Sequence, residues 1–205
     1  MVDDDPPRRR RMTRTAREQQ LLDVAEDLFL TAGYERTSIE DIARAAGITR
    51  PVVYEHYGSK EGIYLACVRR ARVPLNEALQ TAFESSQDPA EQFARGVDAY
   101  YTMLEGDPSR WRLLFSPHGV LTGPLADDLL RERFRTTNLI ADLIEAHLPD
   151  VDPQRIDAFA HAISGSVEQL GRWWLAHPEV ERATVVGYQV AFFLPAFEAM
   201  RTSCP

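Results

Sequence analysis

The sequence predicts an all-α protein of about nine helices, three short ones followed by about six mostly longer ones. Apolar residues recur at i, i+3 and i+4 spacing along most of the chain, and no segment shows a sustained alternation of apolar and polar residues. Glycines and Asp-Pro pairs divide this pattern into segments of helical length. The predicted helices span residues 14–32, 38–47, 49–58, 59 onward with a kink or break at Pro74, 89–105, 108–115, 124–147, 153–176 and 179–200.

The distribution of charge divides the chain into three regions. The formal net charge is −8, but residues 8–17 contain six arginines and no acidic residue. Residues 66–205 contain 13 basic and 19 acidic residues, a net charge of −6. We therefore expect a disordered basic arm over residues 1–13, a small domain over 14–65 that carries any nucleic-acid contact, and a larger domain over 66–205. The arm either adds phosphate or minor-groove contacts or is a solvated tail without a role.

Residues 37–58 have the pattern of a helix-turn-helix. Thr37 and Glu40 have the spacing of a capping box, which would fix the start of the second helix. Gly47 stands where the chain must leave that helix in a left-handed conformation. Thr49 then caps a third helix, and Pro51 in its first turn costs no helical hydrogen bond. Two short helices joined by a glycine turn are the motif that reads DNA in the major groove.

The third helix leaves an unusual set of residues on its outer face. Val53 and Tyr57 are four residues apart and are expected to point inward. The residues left facing outward are Arg50, Val52, Tyr54 and His56. The major groove suits them, because valine contacts a thymine methyl group and arginine reaches guanine or phosphate. The alternative is a helical hairpin whose third helix packs on the body of the protein.

Other protein classes fit the sequence less well. No apolar run approaches the roughly 20 residues that span a bilayer, and the polar N-terminus does not resemble a signal peptide. Cys67 and Cys204 are too few for a disulfide framework and indicate free thiols in a cytoplasmic protein. Five scattered histidines and the lack of a nucleophile elbow or P-loop argue against an enzyme, a metal site or a cofactor. A helical protein–protein adaptor is the other alternative, but it would not need outward-facing Arg50, Tyr54 and Lys60.

Residues 14–65 resemble the N-terminal domain of transcriptional regulators of the tetracycline-repressor (TetR) family. The resemblance covers about a quarter of the chain without gaps, and these residues carry it: Leu22, Ala25, Phe29, Gly33, Tyr34, Thr37, Ile42, Ala43, Ala46, Gly47 and the segment 48–61. It implies a sequence-specific DNA-binding regulator and not an enzyme. It further implies a repressor that a small-molecule ligand releases from its operator.

The resemblance also implies roles for single residues. Those on the DNA side are Thr37, Thr49 and Lys60 at phosphates, Arg50 and Val52 at bases, Tyr54 and His56 at the DNA backbone, with Pro51 in the same helical turn. Two positions depart from the family. Val52 stands where the family often has a small polar residue, which suggests an apolar base contact. Glu55 stands where many members have a neutral or aromatic residue, and its carboxylate would repel a nearby phosphate. Glu55 therefore either points away, pairs with Arg50 or Ser59, or accepts from a cytosine amine.

For residues 66–205 the resemblance implies a helical domain that binds an effector and forms a homodimer through its last two helices. The sequence gives partial support, because the helix over 153–176 has a continuous apolar stripe and the last helix is apolar nearly all round. Pro195 predicts a bend in the last helix. Phe192 and Phe193 point to opposite sides of it, so at least one is expected to meet the partner.

A pocket for a small apolar or aromatic effector is expected in the same domain. The candidate lining residues, each of which could instead be ordinary core, are Tyr100, Met103, Trp111, Phe115, Phe134 and Trp173. Arg112 and His118 lie near this set in sequence and either orient a polar group of the ligand or lie on the surface. The expected partners are therefore double-stranded operator DNA, an unidentified effector and a second copy of the chain, with no membrane.

Overall fold

The structure is a computed structural model, and it describes residues 12–115 and 124–202. Within these ranges all regular structure is α-helical, in nine helices, which confirms the predicted fold class. The helices are α1 (Arg14–Ala32), α2 (Ile39–Ala45), α3 (Arg50–Tyr57), α4 (Lys60–Glu84), α5 (Pro89–Gly106), α6 (Pro108–Phe115), α7 (Pro124–Glu145), α8 (Pro153–Leu175) and α9 (Arg182–Thr202). Residues 1–11 of the predicted arm, the predicted loop over 116–123 with His118, and Cys204 lie outside the described residues.

The helices form two compact units, and the boundary falls inside α4. The first unit ends at Cys67 and the second begins at Val68. Pro74 lies inside α4, which continues as one helix from Lys60 to Glu84, so the predicted break is not present. The same element therefore supplies residues to both units.

The first unit is built around a small apolar core under α1, α2 and α3. The α1 helix starts at a Thr13 cap, whose hydroxyl accepts from the Ala16 N–H, and ends at Gly33 with φ of 83°. Both ends agree with the prediction. The fully buried core residues of this unit are Leu21, Ala25, Ile42, Val53, Ile63 and Cys67.

The start of α2 corrects the predicted cap. Ser38, not Thr37, is the N-cap, and its partner is Asp41, not Glu40. The Ser38 hydroxyl accepts from the Asp41 N–H at 3.2 Å, and the Asp41 carboxylate accepts from the Ser38 N–H at 3.1 Å. Thr37 is instead buried, and its hydroxyl donates to the carbonyl oxygen of Gly33 at 2.8 Å.

Asp-Pro pairs start helices in the second unit, as predicted. Asp88 caps α5 by accepting from the Ala90 N–H, and Asp152 caps α8 in the same way. The proline that follows each cap loses no helical hydrogen bond in the first turn. The helices of this unit pack chiefly as the pairs α5 with α9 and α7 with α8.

The last helix starts later than predicted and is little covered by its own chain. It begins at Arg182 rather than Glu179, because the Trp174 indole N–H donates to the Val180 carbonyl at 2.6 Å and holds this segment as a turn. By length and composition α9 could cross a membrane, which the sequence analysis did not anticipate. Only 17% of its apolar window is buried inside the chain, and Phe192 is 64% exposed. A single helix of this kind is weak evidence for a membrane, but its bare apolar face needs an explanation.

Candidate DNA interface and ligand cavity

The turn between α2 and α3 fixes the direction in which α3 leaves. Gly47 has φ of 66°, a left-handed conformation that favours glycine. Its N–H donates to the Arg44 carbonyl at 3.2 Å, and the Ile48 N–H donates to the Ala43 carbonyl at 3.0 Å. These two bonds form a Schellman motif, which satisfies the last carbonyls of α2. The chain therefore enters α3 from a closed, well-bonded turn.

The outer face of α3 is open to solvent over most of its length. Thr49, Arg50 and Pro51 are exposed in the first turn, Val52 is half-buried, and Tyr54 is 44% exposed. The Thr49 hydroxyl makes no capping bond, although Thr49 is the N-cap of α3. Thr49 therefore lies exposed beside the first N–H groups of α3, at the positive end of the helix dipole. An anion such as a DNA phosphate suits that end of a helix.

Arg50 is held on this face by a neighbour from α2. Its guanidinium forms an ion pair with the carboxylate of Glu40, and both side chains are about half exposed, 52% and 49%. An exposed pair of this kind contributes little to stability, about 0–1 kcal/mol. Arg50 can therefore exchange Glu40 for a phosphate or a guanine edge at small cost. Glu55 is also exposed. The carboxylate that pairs with Arg50 is that of Glu40 and not that of Glu55.

His56 does not face outward as predicted. Its side chain is only 8% exposed, and its Nδ1 lies 3.3 Å from the Glu18 carboxylate of α1. The neighbouring Tyr57 points inward as expected, and its hydroxyl donates to the Glu18 carbonyl at 2.9 Å. Hydrogen bonds from Arg14 and then from His56 lower the pKa of Glu18. His56 thus ties α3 to α1, and it cannot also present its ring to the DNA backbone in this conformation.

Thr37 and Lys60 lie at the edges of the candidate interface. The Thr37 hydroxyl is committed inside the domain, so it is not exposed to a phosphate as predicted. Lys60 is half-buried at the start of α4, with its amine 3.3 Å from the Glu35 carbonyl and 4.2 Å from the centre of the Tyr34 ring. The Lys60 amine therefore lies beside a backbone carbonyl and a tyrosine ring at the edge of the candidate interface.

The second unit contains a cavity of about 130 Å³ with largely apolar walls. Residues of α4, α5, α6, α7, α8 and α9 line it, and they include Leu75, Phe83, Phe93, Val97, Ile140, Phe159, Ile163, Phe193 and Phe197. Its polar lining residues include Arg72, Arg133 and Thr136, with Gln92 and His147 as a hydrogen-bonded pair. A site of this size and lining suits a small ligand with an apolar body.

Two of the six predicted pocket residues line the cavity, Tyr100 and Phe115. Trp111 is buried core beside it, and its indole N–H donates to the Tyr100 hydroxyl at 2.7 Å. Phe134 and Trp173 lie on the surface, 36% and 38% exposed, and Trp173 stacks on His177. Met103 is half-buried away from the lining. These four residues do not line this cavity. Aromatic character alone does not distinguish a cavity wall from core or surface.

The lining residues that the sequence did not predict are spread over α4, α5, α7, α8 and α9. Leu75, Leu79 and Phe83 follow the i, i+4, i+8 pattern of a buried stripe, which also describes ordinary core. Arg72 and Thr136 continue the same faces as polar residues inside apolar stripes, and this is the signal that could have found them. Arg112, predicted as one possible polar contact, is exposed. Within residues 12–115 and 124–202 no three His, Cys, Asp or Glu side chains are grouped to hold a metal ion.

Comparison with known proteins agrees with this geometry. Residues 21–67 match the family described as bacterial regulatory proteins, tetR family. FasR of Mycolicibacterium smegmatis, an HTH-type transcriptional activator, is 27% identical over 165 residues, which span 80% of this chain and 75% of FasR.

Solved structures extend the likeness to the second unit. A TetR-like transcriptional regulator from Rhodococcus sp. RHA1 superposes with a TM-score of 0.69 at 27% identity, covering 92% of this chain and 99% of that one. FadR from Bacillus subtilis, solved in complex with stearoyl-CoA, shares the fold with a TM-score of 0.73 at 14% identity, covering 85% of this chain and 96% of FadR.

A capped α2, a glycine turn and an exposed α3 in an all-helical chain define a DNA-binding protein of the helix-turn-helix class. Residues 21–67 match the tetR family of bacterial regulatory proteins, and over most of its length the chain is similar to regulators of the TetR type. It is a transcription regulator and not an enzyme.

Proposed function

We propose that this chain is a homodimeric repressor that binds a two-fold operator through α3 and leaves it when a small molecule fills the cavity of the second unit. The observation that carries the DNA-binding part is the open face of α3, with Arg50, Val52 and Tyr54 next to an uncapped helix N-terminus. DNA-binding regulation of this kind takes place in the cytoplasm, which is the location we propose.

The proposed dimer rests on the uncovered faces of α8 and α9. Exposed residues of α9 follow helical spacing and are apolar: Tyr188, Ala191, Phe192 and Pro195. Exposed residues of α8 follow the same spacing at Ala158, Ala162, Gln169 and Trp173. Burying such a surface in a partner stabilises the pair by about 25 cal/mol per Å² of apolar area. Two copies would present two α3 helices to half-sites about 34–36 Å apart.

The proposed ligand response rests on α4. Arg72, Leu75 and Phe83 of this helix line the cavity, and the same helix begins in the first unit at Lys60. A ligand that favours one position of α4 would therefore act on both units through one continuous element. The Bacillus subtilis FadR structure contains stearoyl-CoA, so a protein of this fold accommodates a ligand with a long apolar chain.

One relative differs from the proposal in the direction of regulation, activation instead of repression. FasR is an activator by name. We favour repression because the resemblance to the TetR family implies it. A reporter gene behind the selected operator gives the answer: deletion of the regulator raises expression of a repressed gene and lowers expression of an activated one.

The DNA interface is tested by selecting binding sites from random duplexes and then measuring affinities by mobility shift. We expect a two-fold consensus. Val52→Ala should change the preference at one position in each half-site, by about 1–3 kcal/mol if valine contacts a thymine methyl. Lys60→Ala should keep the consensus, weaken all sequences alike and reduce the slope of log affinity against log salt by about one.

Arg95→Ala is the matched control, because Arg95 is an exposed arginine of α5 paired with Glu91, outside the interface. It should change neither the consensus nor the salt slope. If Val52→Ala leaves both the affinity for the operator and the base preference unaltered, the proposed orientation of α3 on DNA is wrong.

A further inference from the structure

Two buried carboxylates lie close to the cavity, and both are already committed to arginines. Glu132 is paired with Arg69 at 2.7 Å and with Arg135 at 3.4 Å. Glu168 is paired with Arg133 and, at 2.8 Å, with Arg172. Each carboxylate is thus shared by two guanidinium groups, so the cluster as a whole carries excess positive charge.

Arg72 is the arginine left without a carboxylate. It is buried, 4% exposed, and it lines the cavity. Among the described residues it forms no ion pair. Its Nη1 donates to the Thr136 hydroxyl at 3.0 Å, and that hydroxyl donates to the Asn76 side-chain oxygen at 2.8 Å. Its Nε is buried and has no hydrogen-bond partner.

A buried guanidinium with an unused N–H donor is energetically unfavourable unless another group accepts a hydrogen bond from that donor. Burial lowers the pKa of Arg72 to about 10, with the nearby Arg133 charge acting in the same direction and Glu132 against it. Arg72 therefore stays protonated at neutral pH. Removal of a charge from water without a partner is costly, and a paired charge inside apolar walls recovers much of that cost. The chain between residues 116 and 123 contains no acidic residue that could serve as the partner.

We propose that Arg72 is the seat for the carboxylate of an apolar monocarboxylic acid bound in the cavity, with Thr136 and Asn76 holding the guanidinium in place. This inference rests on the proposed ligand-binding function of the cavity and names its ligand class. Arg72 lines the cavity and its Nε has no hydrogen-bond partner, so the guanidinium retains a donor that a carboxylate can accept from.

The rest of the cavity favours a monoanion with an apolar tail. Its volume of about 130 Å³ is comparable to that of an apolar protein cavity of about 150 Å³ that holds benzene. Arg133, the other lining arginine, is ion-paired with Glu168, whereas Arg72 has no carboxylate partner among the described residues. A doubly charged phosphate would bring a second negative charge between apolar side chains such as Leu75 and Phe159, where its removal from water is costly.

The test compares octanoate with 1-octanol, which has the same chain length but no charge, by isothermal titration on the full chain without DNA. We expect octanoate to bind the native protein more tightly than the alcohol. Arg72→Met should weaken octanoate by at least about tenfold and leave 1-octanol unchanged or tighter. Arg95→Met, at an exposed and ion-paired arginine, is the matched control and should alter neither.

Thermal unfolding of the same proteins separates a ligand seat from a structural arginine. Without ligand, Arg72→Met should melt at the native temperature or above it, because an unpaired buried charge has been removed. Octanoate should raise the melting temperature of the native chain but not of the variant. A variant that melts well below the native chain without ligand, or a native chain that does not prefer octanoate to 1-octanol, would overturn the assignment. Tighter binding of octyl phosphate than of octanoate would overturn the choice of a carboxylate.

DNA binding reports on the proposed function separately. If Arg72-dependent octanoate binding is found but octanoate leaves the operator complex intact, the seat stands and ligand-driven release fails. If the native chain binds its selected operator but shows no preference for octanoate, DNA binding stands and the seat fails.

Discussion

At the scale of the residue, the start of α2 shows how one hydroxyl and one carboxylate order the DNA-facing motif. Ser38 and Asp41 bond each other's backbone N–H groups, and the two side chains also lie 2.5 Å apart. The hydrogen bonds from Ser38, side chain first and then backbone, lower the pKa of Asp41 below its ordinary value of 3.8. The cap therefore depends on an ionised carboxylate.

Removal of the Ser38 hydroxyl should lower both the stability and its acid dependence. We expect Ser38→Ala to reduce the free energy of unfolding by about 1 kcal/mol at neutral pH. Because the folded pKa of Asp41 is depressed, its stabilising effect is fully present above its unfolded pKa and is lost as the pH falls through the folded pKa. Ser38→Ala should move that pKa back up, so the variant should lose less stability than the native chain on acidification below about pH 4.

Urea unfolding at a series of pH values measures both effects. Thr13→Ala is the control, because Thr13 also caps a helix through its hydroxyl but has no carboxylate partner in its cap. It should lower stability by a similar amount at all pH values. An acid dependence in Ser38→Ala equal to that of the native chain would contradict the role given to Asp41.

This cap also shows what the sequence could and could not predict at single residues. Thr37 with Glu40 and Ser38 with Asp41 both match the spacing of a capping box, so the pattern alone does not choose between them. The choice depends on burial, because Thr37 lies inside against Gly33. The predicted outward orientation of His56 is wrong for the same reason, since its contact with Glu18 joins residues 38 positions apart. Local patterns carry no information about such contacts.

At the scale of the element, the junction of α3 and α4 is held by the close approach of two backbones. A Cβ atom added to Gly62 would lie 2.0 Å from the carbonyl oxygen of Tyr57, the last residue of α3. The Ser59 hydroxyl accepts from the Gly62 N–H at 3.0 Å in the same turn. Gly58, with φ of 74°, makes the reversal that brings the two helices together.

Gly62→Ala should therefore displace α3 as well as destabilise the chain. We expect a loss of about 1–3 kcal/mol, the usual cost of an overpacked site, and weaker DNA binding, because Tyr54 and Val52 move with the helix. Thermal unfolding followed by circular dichroism, together with mobility shift, measures the two effects. Gly96→Ala is the control, since its added Cβ meets only a Leu79 methyl group at an ordinary 3.6 Å. That variant should be as stable as the native chain or up to about 1 kcal/mol more stable.

Elements were the most predictable level of this fold. Prolines, caps and glycines are local signals, and they gave α1 at both ends and the starts of α5, α6, α7 and α8. The start of α9 was missed because the bond from the Trp174 side chain to the Val180 carbonyl competes with helix formation, and apolar spacing does not show such a bond. The cavity was largely missed because its wall joins six helices, and periodicity within one helix does not show which side of a core lies open.

At the scale of the whole molecule, adjacent residues of α9 separate the proposed interface from the cavity. Phe192 is 64% exposed, whereas Phe193 lines the cavity and packs against Phe159 with ring centres 5.8 Å apart. The expectation that the two point to opposite sides of the helix agrees with these positions. Substitutions at the two sites should therefore have different consequences.

Phe192→Asp should give monomers that keep the fold but lose tight operator binding, because a charge on the apolar face opposes burial and one helix-turn-helix makes too few contacts. Phe193→Asp, its neighbour and comparison, should instead lower the melting temperature and impair ligand binding. Sedimentation velocity and mobility shift distinguish the two. A native chain that sediments as a monomer while it binds its operator tightly would contradict the dimer.

Because nearly all basic residues of the chain are arginines, its single lysine has a practical use. Of the 23 basic residues, 22 are arginine and one is Lys60, so the chain contains a single ε-amine. That amine lies at the start of α4, beside Tyr34 and Glu35 and at the edge of the proposed DNA interface. An amine-reactive dye therefore has one side chain to modify, and the α-amine, with its lower pKa of about 8, can be distinguished by the pH of labelling. A fluorophore attached there would place an optical reporter where the operator is proposed to dock, without any engineered cysteine.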